Sequence, residues 1–313
     1  MGVFVFLPLL LPLTAWPVAR LAEHRLHPRT ATRLLTGFAV VLAVCSTLCL
    51  ALLMVVGTAQ LPGNPLPDGW SDPEVRAALP YDEIAGRAAI PALGAVVGAC
   101  LHALAGHLRV RRRAERALAG LPGRPVAVLP DPTPYAYALP GRRGRRDRVV
   151  VSTGMLAALR PAERRALFAH ERAHLDGRHH RHLLTVRLAA RANPFLRPLC
   201  AAVAYTAERW ADEEAAAAVG SRRAVARAIG RAALLAPAPP AHALAGFAQA
   251  GPVPRRVAAL LAGAPAARDW PPAFTAVGMA VWGAVAGATV SAFSSANSAV
   301  TLYQVLHAAT PLA

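Results

Sequence analysis

The chain has 313 residues, 55% hydrophobic and 16% charged, with a mean hydropathy of +0.37 and a formal net charge of +17. Apolar residues with glycine make up about 45–50% of an ordinary soluble domain, so membrane segments have to be sought before soluble domains. All 34 basic residues are arginine; the lack of lysine excludes the GxxxxGK[ST] phosphate loop, Schiff-base chemistry and the S-x-x-K pair together.

A helix needs roughly 20 apolar residues to cross about 30 Å of hydrocarbon. Four stretches are candidates: Val3 to Ala19, with three prolines, Leu34 to Val56, Ala88 to Leu108, and Pro272 to Phe293. The first is marginal in length and reads as an uncleaved anchor, because no basic residue precedes its apolar run and no A-x-A site follows. Between the first two stretches, "RLAEHRLHPRTATR" holds four arginines, whereas "PGNPLPDGWSDPEVRAALPYDEIAG" after the second holds five acids and one arginine. Basic loops stay in the cytoplasm. The third stretch runs into "RVRRRAER", which is basic again. The expectation is a multi-pass plasma-membrane protein with its N-terminus outside and residues 109–271 in the cytoplasm. It divides into a three-span region (1–108), a cytoplasmic domain (109–271), and a fourth span with a tail (272–313). The arginines collect beside the spans, where they fix topology and meet anionic lipid. "GRRGRRDR" (Gly141 to Arg148) lacks an aromatic to stack on a base, so no nucleic-acid partner is expected.

The cytoplasmic segment opens with a basic helix from Arg109 to Leu118, ended by "LPGRP". Val126 to Leu129, Tyr135 to Leu139 and Val149 to Ser152 read as three short strands among Pro/Gly turns, the middle one a candidate edge strand that an extended peptide could join. Helices follow from Met155. Pro161 suits a first helical position with Glu163 in its first turn, and the pattern continues to Asn193–Pro194. A second helix runs from about Pro198 to Val219 and stops at Gly220; a third starts at the cap Ser221. Cys45, Cys49, Cys100 and Cys200 lie in apolar surroundings and read as small hydrophobes, not disulfides or a metal cluster.

The chemistry sits at His170, Glu171, Arg172, Ala173, His174, an H-E-x-x-H. Positions i and i+4 share one helix face, so both imidazoles can reach a single zinc, while Glu171 stands beside them to take a proton from water. Zinc lowers the pKa of its water to about 7, which makes a nucleophile available at neutral pH. A catalytic zinc wants a third protein ligand and an open position. "YTAERWADEEA" offers Glu208, with Asp212 one turn on to receive an imidazole N–H and fix its tautomer. Ala166, Ala169 and Ala173 leave room for that second helix. Glu213 and Glu214 are expected to be solvated, and His179, His180 and His182 to be polar groups beside lipid headgroups. Tyr205, Arg255 and Arg256 are candidates to hold an oxyanion or substrate. Ser152 and Cys200 have no base nearby in sequence to make them nucleophiles.

The run "AHERAHLDGRHH", then Asn193–Pro194, then "ERWAD" resembles the cytoplasmic zinc domain of the BlaR/MecR-type membrane metallopeptidases, gluzincins with H-E-x-x-H and a downstream Glu. "PYAYALPG", "VVVSTGML" and "PRRVAALL" extend the likeness over residues 121–263. The resemblance implies one Zn2+ per chain held by His170, His174 and Glu208, with Glu171 as base. It also implies a mainly α membrane protein carrying a cytoplasmic α+β zincin-like peptidase domain, and cleavage of a regulatory protein such as a repressor. The family's penicillin-binding sensor is not found in this sequence. HtpX and CAAX-protease relatives share both motifs but usually separate them further than the 33 residues between His174 and Glu208, which ranks the BlaR type first and an HtpX-like processing peptidase as the alternative. A third reading, a non-catalytic receptor with a structural zinc, would need four closing ligands, usually with cysteine, and none is at hand.

Overall fold

In a computed structural model, residues 6–63, 66, 67, 70, 82–141, 146–235, 253–265 and 274–308 are described. In chain order the elements are helices α1 (Leu7–Leu10), α2 (Ala15–Arg25), α3 (Pro28–Ala59) and α4 (Asp82–Ala117), then strands β1 (Val126–Leu129), β2 (Ala136–Leu139) and β3 (Arg148–Ser152). They continue as α5 (Thr153–Ala158), α6 (Pro161–Asp176), α7 (His179–Ala192), α8 (Arg197–Val219), α9 (Arg222–Leu235), α10 (Val253–Ala262) and α11 (Ala276–Ala308).

Three helices among the described residues are long and apolar enough to cross a membrane: α3, α4 from Ile84, and α11 from Gly278. The stretch Val3 to Ala19 is not among them. Its described part is split between α1, a 3-10 turn over Leu11–Thr14 and α2, because Pro8 and Pro12 each open a new helical piece. Its alanines make a contact face: Ala15, Ala19 and Ala22 are almost fully buried in the main core. Of the acidic segment after α3, which carries half of the orientation argument, residues 64, 65, 68, 69 and 71–81 lie outside the described residues, as do residues 142–145 of "GRRGRRDR". The basic helix expected from Arg109 is the end of α4, because no breaker separates the apolar run from the arginines. α3 and α4 approach closely at Gly57 and Gly86, where a Cβ on Gly57 would lie 2.2 Å from the Gly86 backbone.

The sheet has the order β1-β3-β2, with β1 parallel and β2 antiparallel to β3. β2 is therefore an edge strand, as its position in sequence suggests. Ser152 closes β3 and caps α5 with one hydroxyl, which accepts from the backbone N–H of Tyr135 at 3.0 Å and of Met155 at 3.1 Å.

The helix expected from Pro161 to Asn193 is two, α6 and α7, and the short α5 precedes it. Leu159–Arg160 ends α5, and Pro161 starts α6 with Glu163 bonded back to the Arg160 N–H at 2.8 Å. The break between α6 and α7 follows Asp176, where Arg178 takes a left-handed conformation (φ 49°). Gly177 is required there, since a Cβ would meet the His179 ring at 2.4 Å.

α7 and α8 pack directly on the candidate spanning helices. Val186, Ala189, Leu196, Leu199, Ala202 and Val203 share one core with Leu35, Phe38, Ala39 and Leu42 of α3 and with Val281 and Ala288 of α11. Two buried polar contacts set the register: the Thr32 hydroxyl donates to Thr206 at 3.0 Å, and His182 Nδ1 lies 3.1 Å from the Thr36 hydroxyl. The helix that carries Glu208 is thus tied to a candidate membrane span.

Candidate metal centre

α6 and α8 face one another through alanines, with Ala166, Ala215 and Ala216 buried between them, and this close approach brings three side chains to one point. His170 Nε2 and His174 Nε2 are 3.1 Å apart. Glu208 places Oε2 3.5 Å from the first and Oε1 3.4 Å from the second. Ligands about 2.0–2.1 Å from a tetrahedral cation are separated from each other by about 3.3 Å, so the spacing fits such an ion. His170, His174 and Glu208 form the one group of this kind among the described residues.

Around the three stand the groups that orient them. His170 Nδ1 lies 3.1 Å from Asp212 Oδ1. Asp212 is fully buried and receives Arg256 Nε at 2.9 Å and Nη2 at 2.6 Å, while Arg256 Nη1 lies 2.8 Å from Glu208. Of the three residues named from sequence as oxyanion or substrate groups, Arg256 is the one bonded to the ligand cluster. Arg255 turns the other way, onto Glu23 at 2.9 Å and over the Tyr205 ring at 4.1 Å.

His179 departs from expectation. It is buried rather than beside headgroups, its Nδ1 is 2.8 Å from His174 Nδ1, and its ring packs 4.5 Å from Trp210. His174 thus has an imidazole behind it, as His170 has a carboxylate. Glu213 also departs. It is half-buried and paired with Arg209 at 2.5 Å and with Arg222, whose guanidinium reaches the α10 carbonyls of Ala259 (3.1 Å) and Leu260 (2.9 Å). It locks α8, α9 and α10 together because α9 folds back over it. Glu214 is exposed, as expected, and accepts from Trp210 Nε1 at 3.0 Å.

The electrostatics follow from burial and from Arg256. Burial pushes the Glu171 carboxyl up to about 7, against the pull of His170 and of the Ala138 backbone N–H. Burial lowers His174 to about 4. Burial also works against charge on His170, but hydrogen bonds to Asp212 and Glu208 outweigh it and raise that imidazole to about 10. Burial would raise Glu208, yet the Arg256 guanidinium holds it well below the usual carboxylate range. Asp212 is likewise lowered by Arg256 and His170. At neutral pH the cluster holds two carboxylates, a neutral His174 and a base poised near neutrality.

Residues 107–191 match the family model for peptidase family M48, a segment that contains β1 to β3 and the H-E-x-x-H helix and stops before Glu208. This segment is similar to M48 peptidases. A curated relative, a protease HtpX homolog of Moorella thermoacetica, is 42% identical over 72 residues, 23% of this chain and 23% of the relative. The chain therefore spans about a quarter of the curated relative it matches. No solved structure matches. The likeness falls on the HtpX side that motif spacing ranks second.

Proposed function

We propose that this chain is a membrane zinc endopeptidase that hydrolyses peptide bonds at the cytoplasmic face, with His170, His174 and Glu208 as the zinc ligands and Glu171 as general base. The observation that carries the proposal is the 3.1–3.5 Å triangle of ligand atoms with a buried carboxyl of pKa about 7 on the next residue. Bound zinc supplies Lewis acidity, making water nucleophilic at neutral pH. Glu171 accepts the proton from that water and returns it to the leaving amine, a role for which a pKa near the working pH is suited. Asp212 and His179 orient the two imidazoles, and Arg256 keeps both carboxylates ionised and aimed. The Ala138 N–H on edge strand β2 contacts Glu171, so a peptide added to that edge runs past the base. Arg255 is held on Glu23 and over the Tyr205 ring, so neither is given a part in the reaction.

The cytoplasmic placement rests on the arginines around the start of α3 and at the end of α4. The four-span count with the N-terminus outside rests on Val3 to Ala19 crossing, a reading from sequence alone. The domain limits 1–108, 109–271 and 272–313 are retained as functional units. For the substrate there are two readings. The BlaR/MecR likeness favours a regulatory protein such as a repressor; the M48 and HtpX likeness favours processing or quality control of membrane proteins, and the packing of α7 and α8 among the spans supports the latter.

The test is Glu171→Gln in detergent, with zinc per protein by elemental analysis beside cleavage of casein. Zinc should stay near one per chain while turnover falls by about 10²–10⁴-fold. Undiminished cleavage in that variant overturns the catalytic reading.

A further inference from the structure

On the far side of α6 from the histidines lies a cavity of about 840 Å³ whose wall is basic. Arg172 is two residues from His170 and so points about 200° around the helix from it. Arg172, Arg178 and Arg181 line the cavity from α6, the turn and α7, and Arg29 and Arg33 line it from the start of α3, against the two acids Asp176 and Glu214. All five arginines are exposed, and among the described residues none forms an ion pair. The floor is Trp210, 5% exposed, with the Arg29 and Arg33 guanidiniums 5.5 and 5.3 Å from its ring.

We propose that this cavity binds the phosphate headgroup of an anionic membrane lipid. Three observations converge on it. Guanidinium groups suit phosphate because they present paired donors with a fixed charge, and here five, from α6, the turn, α7 and α3, line one concavity. Arg33 immediately precedes the uncharged run Leu34 to Val56 of α3, so the mouth lies at the level where that span enters the bilayer and where headgroups are found. The third is Arg178, which holds φ 49°, a conformation unfavourable for a residue with a Cβ, and in it the side chain is brought to the cavity wall. The floor ring packs on His179, which touches His174, so a bound headgroup sits two side chains from a metal ligand. Lipid binding at this wall does not require peptidase activity, and it is read out as binding.

The experiment uses the full chain in nanodiscs of phosphatidylcholine with phosphatidylglycerol, followed by native mass spectrometry of the lipid retained after transfer to detergent. Three proteins are compared: wild type, the cavity triple Arg172→Gln/Arg178→Gln/Arg181→Gln, and a control triple Arg109→Gln/Arg112→Gln/Arg113→Gln at the exposed basic end of α4. Wild type and control should retain phosphatidylglycerol over phosphatidylcholine, and the cavity triple should lose that preference by at least about tenfold. Full zinc content in the cavity triple establishes that it is folded. Equal retention by wild type and cavity triple, or equal loss in the control, overturns the proposal. A parallel titration of lipid-free protein follows Trp fluorescence with inorganic phosphate and with a soluble acidic peptide. If either binds as tightly as phosphatidylglycerol, and loses binding in the cavity triple, the lipid assignment is overturned in favour of that ligand.

Discussion

Arg256 is joined to Asp212 by two hydrogen bonds, from Nε at 2.9 Å and Nη2 at 2.6 Å, and its third nitrogen lies 2.8 Å from Glu208. One cation, 44 residues from Asp212 in sequence, is thereby shared by both carboxylates that face the histidines. Removing one partner of such a buried pair leaves an uncompensated charge and typically costs about 3–5 kcal/mol. Arg256→Ala should lower the thermal midpoint in detergent and weaken zinc retention together. Arg256→Lys should recover only part of either, because an ammonium cannot span both carboxylates as the guanidinium does. An unchanged midpoint in Arg256→Ala would show that the pair contributes nothing to the fold.

His179 should behave as the partner of a ligand. His179→Ala is expected to reduce zinc affinity by about 10–100-fold, as loss of such groups does elsewhere, while His180→Ala leaves it unchanged. Competition with a chromogenic chelator reads both. Equal affinities for the two variants would return His179 to an ordinary buried residue.

Cation binding should be proton-linked. In the ion-free site His170 is raised to about 10, so at neutral pH its proton must leave before Nε2 can serve as a ligand. Affinity should then rise about tenfold per pH unit between about pH 6 and 9, since one proton is displaced per cation. The linkage to folding has the opposite sense. A folded pKa above the unfolded value of about 6.5 stabilises the ion-free protein fully below 6.5, and that contribution is lost as pH rises through about 10. Zinc titrations at three pH values, corrected for chelator protonation, check the slope; a flat profile would mean that His170 is already neutral.

Topology is open to a direct test. A cytoplasm-dependent reporter fused after Arg113 should be active, and an export-dependent one at Asp68 should be active. Swapped results would move the ligand cluster to the other side of the membrane.

How much of this is legible in the sequence depends on how local each signal is. The three strands can be read because short β-branched or aromatic runs stand between Pro and Gly, and the structure agrees to within a residue. His170 and His174 can be read as a pair because i, i+4 spacing fixes a shared face. His179 cannot. Five residues along an unbroken helix would turn it about 140° from His174, and only the break at Gly177–Arg178 swings it back. The hint is the Gly in "LDGRHH", which a continuous helix also tolerates. Arg256 is a candidate from sequence, but its partner is not readable there, because the contact with Asp212 crosses a long stretch of chain and no periodicity encodes it. Glu213 looks solvated since its helix is amphipathic only weakly, and its burial is created by the return of α9 and α10.

The Thr32 to Thr206 hydrogen bond has a mechanical meaning. Thr206 is two residues before Glu208, about 3 Å of helix rise, and Thr32 lies on the helix that enters the bilayer. A tilt of α3 to match a thinner or thicker hydrocarbon layer would therefore pull on the rod that carries Glu208. Membrane thickness would become one of the variables of the His170–His174–Glu208 cluster, and two detergents of different chain length would present two differently tensioned versions of it.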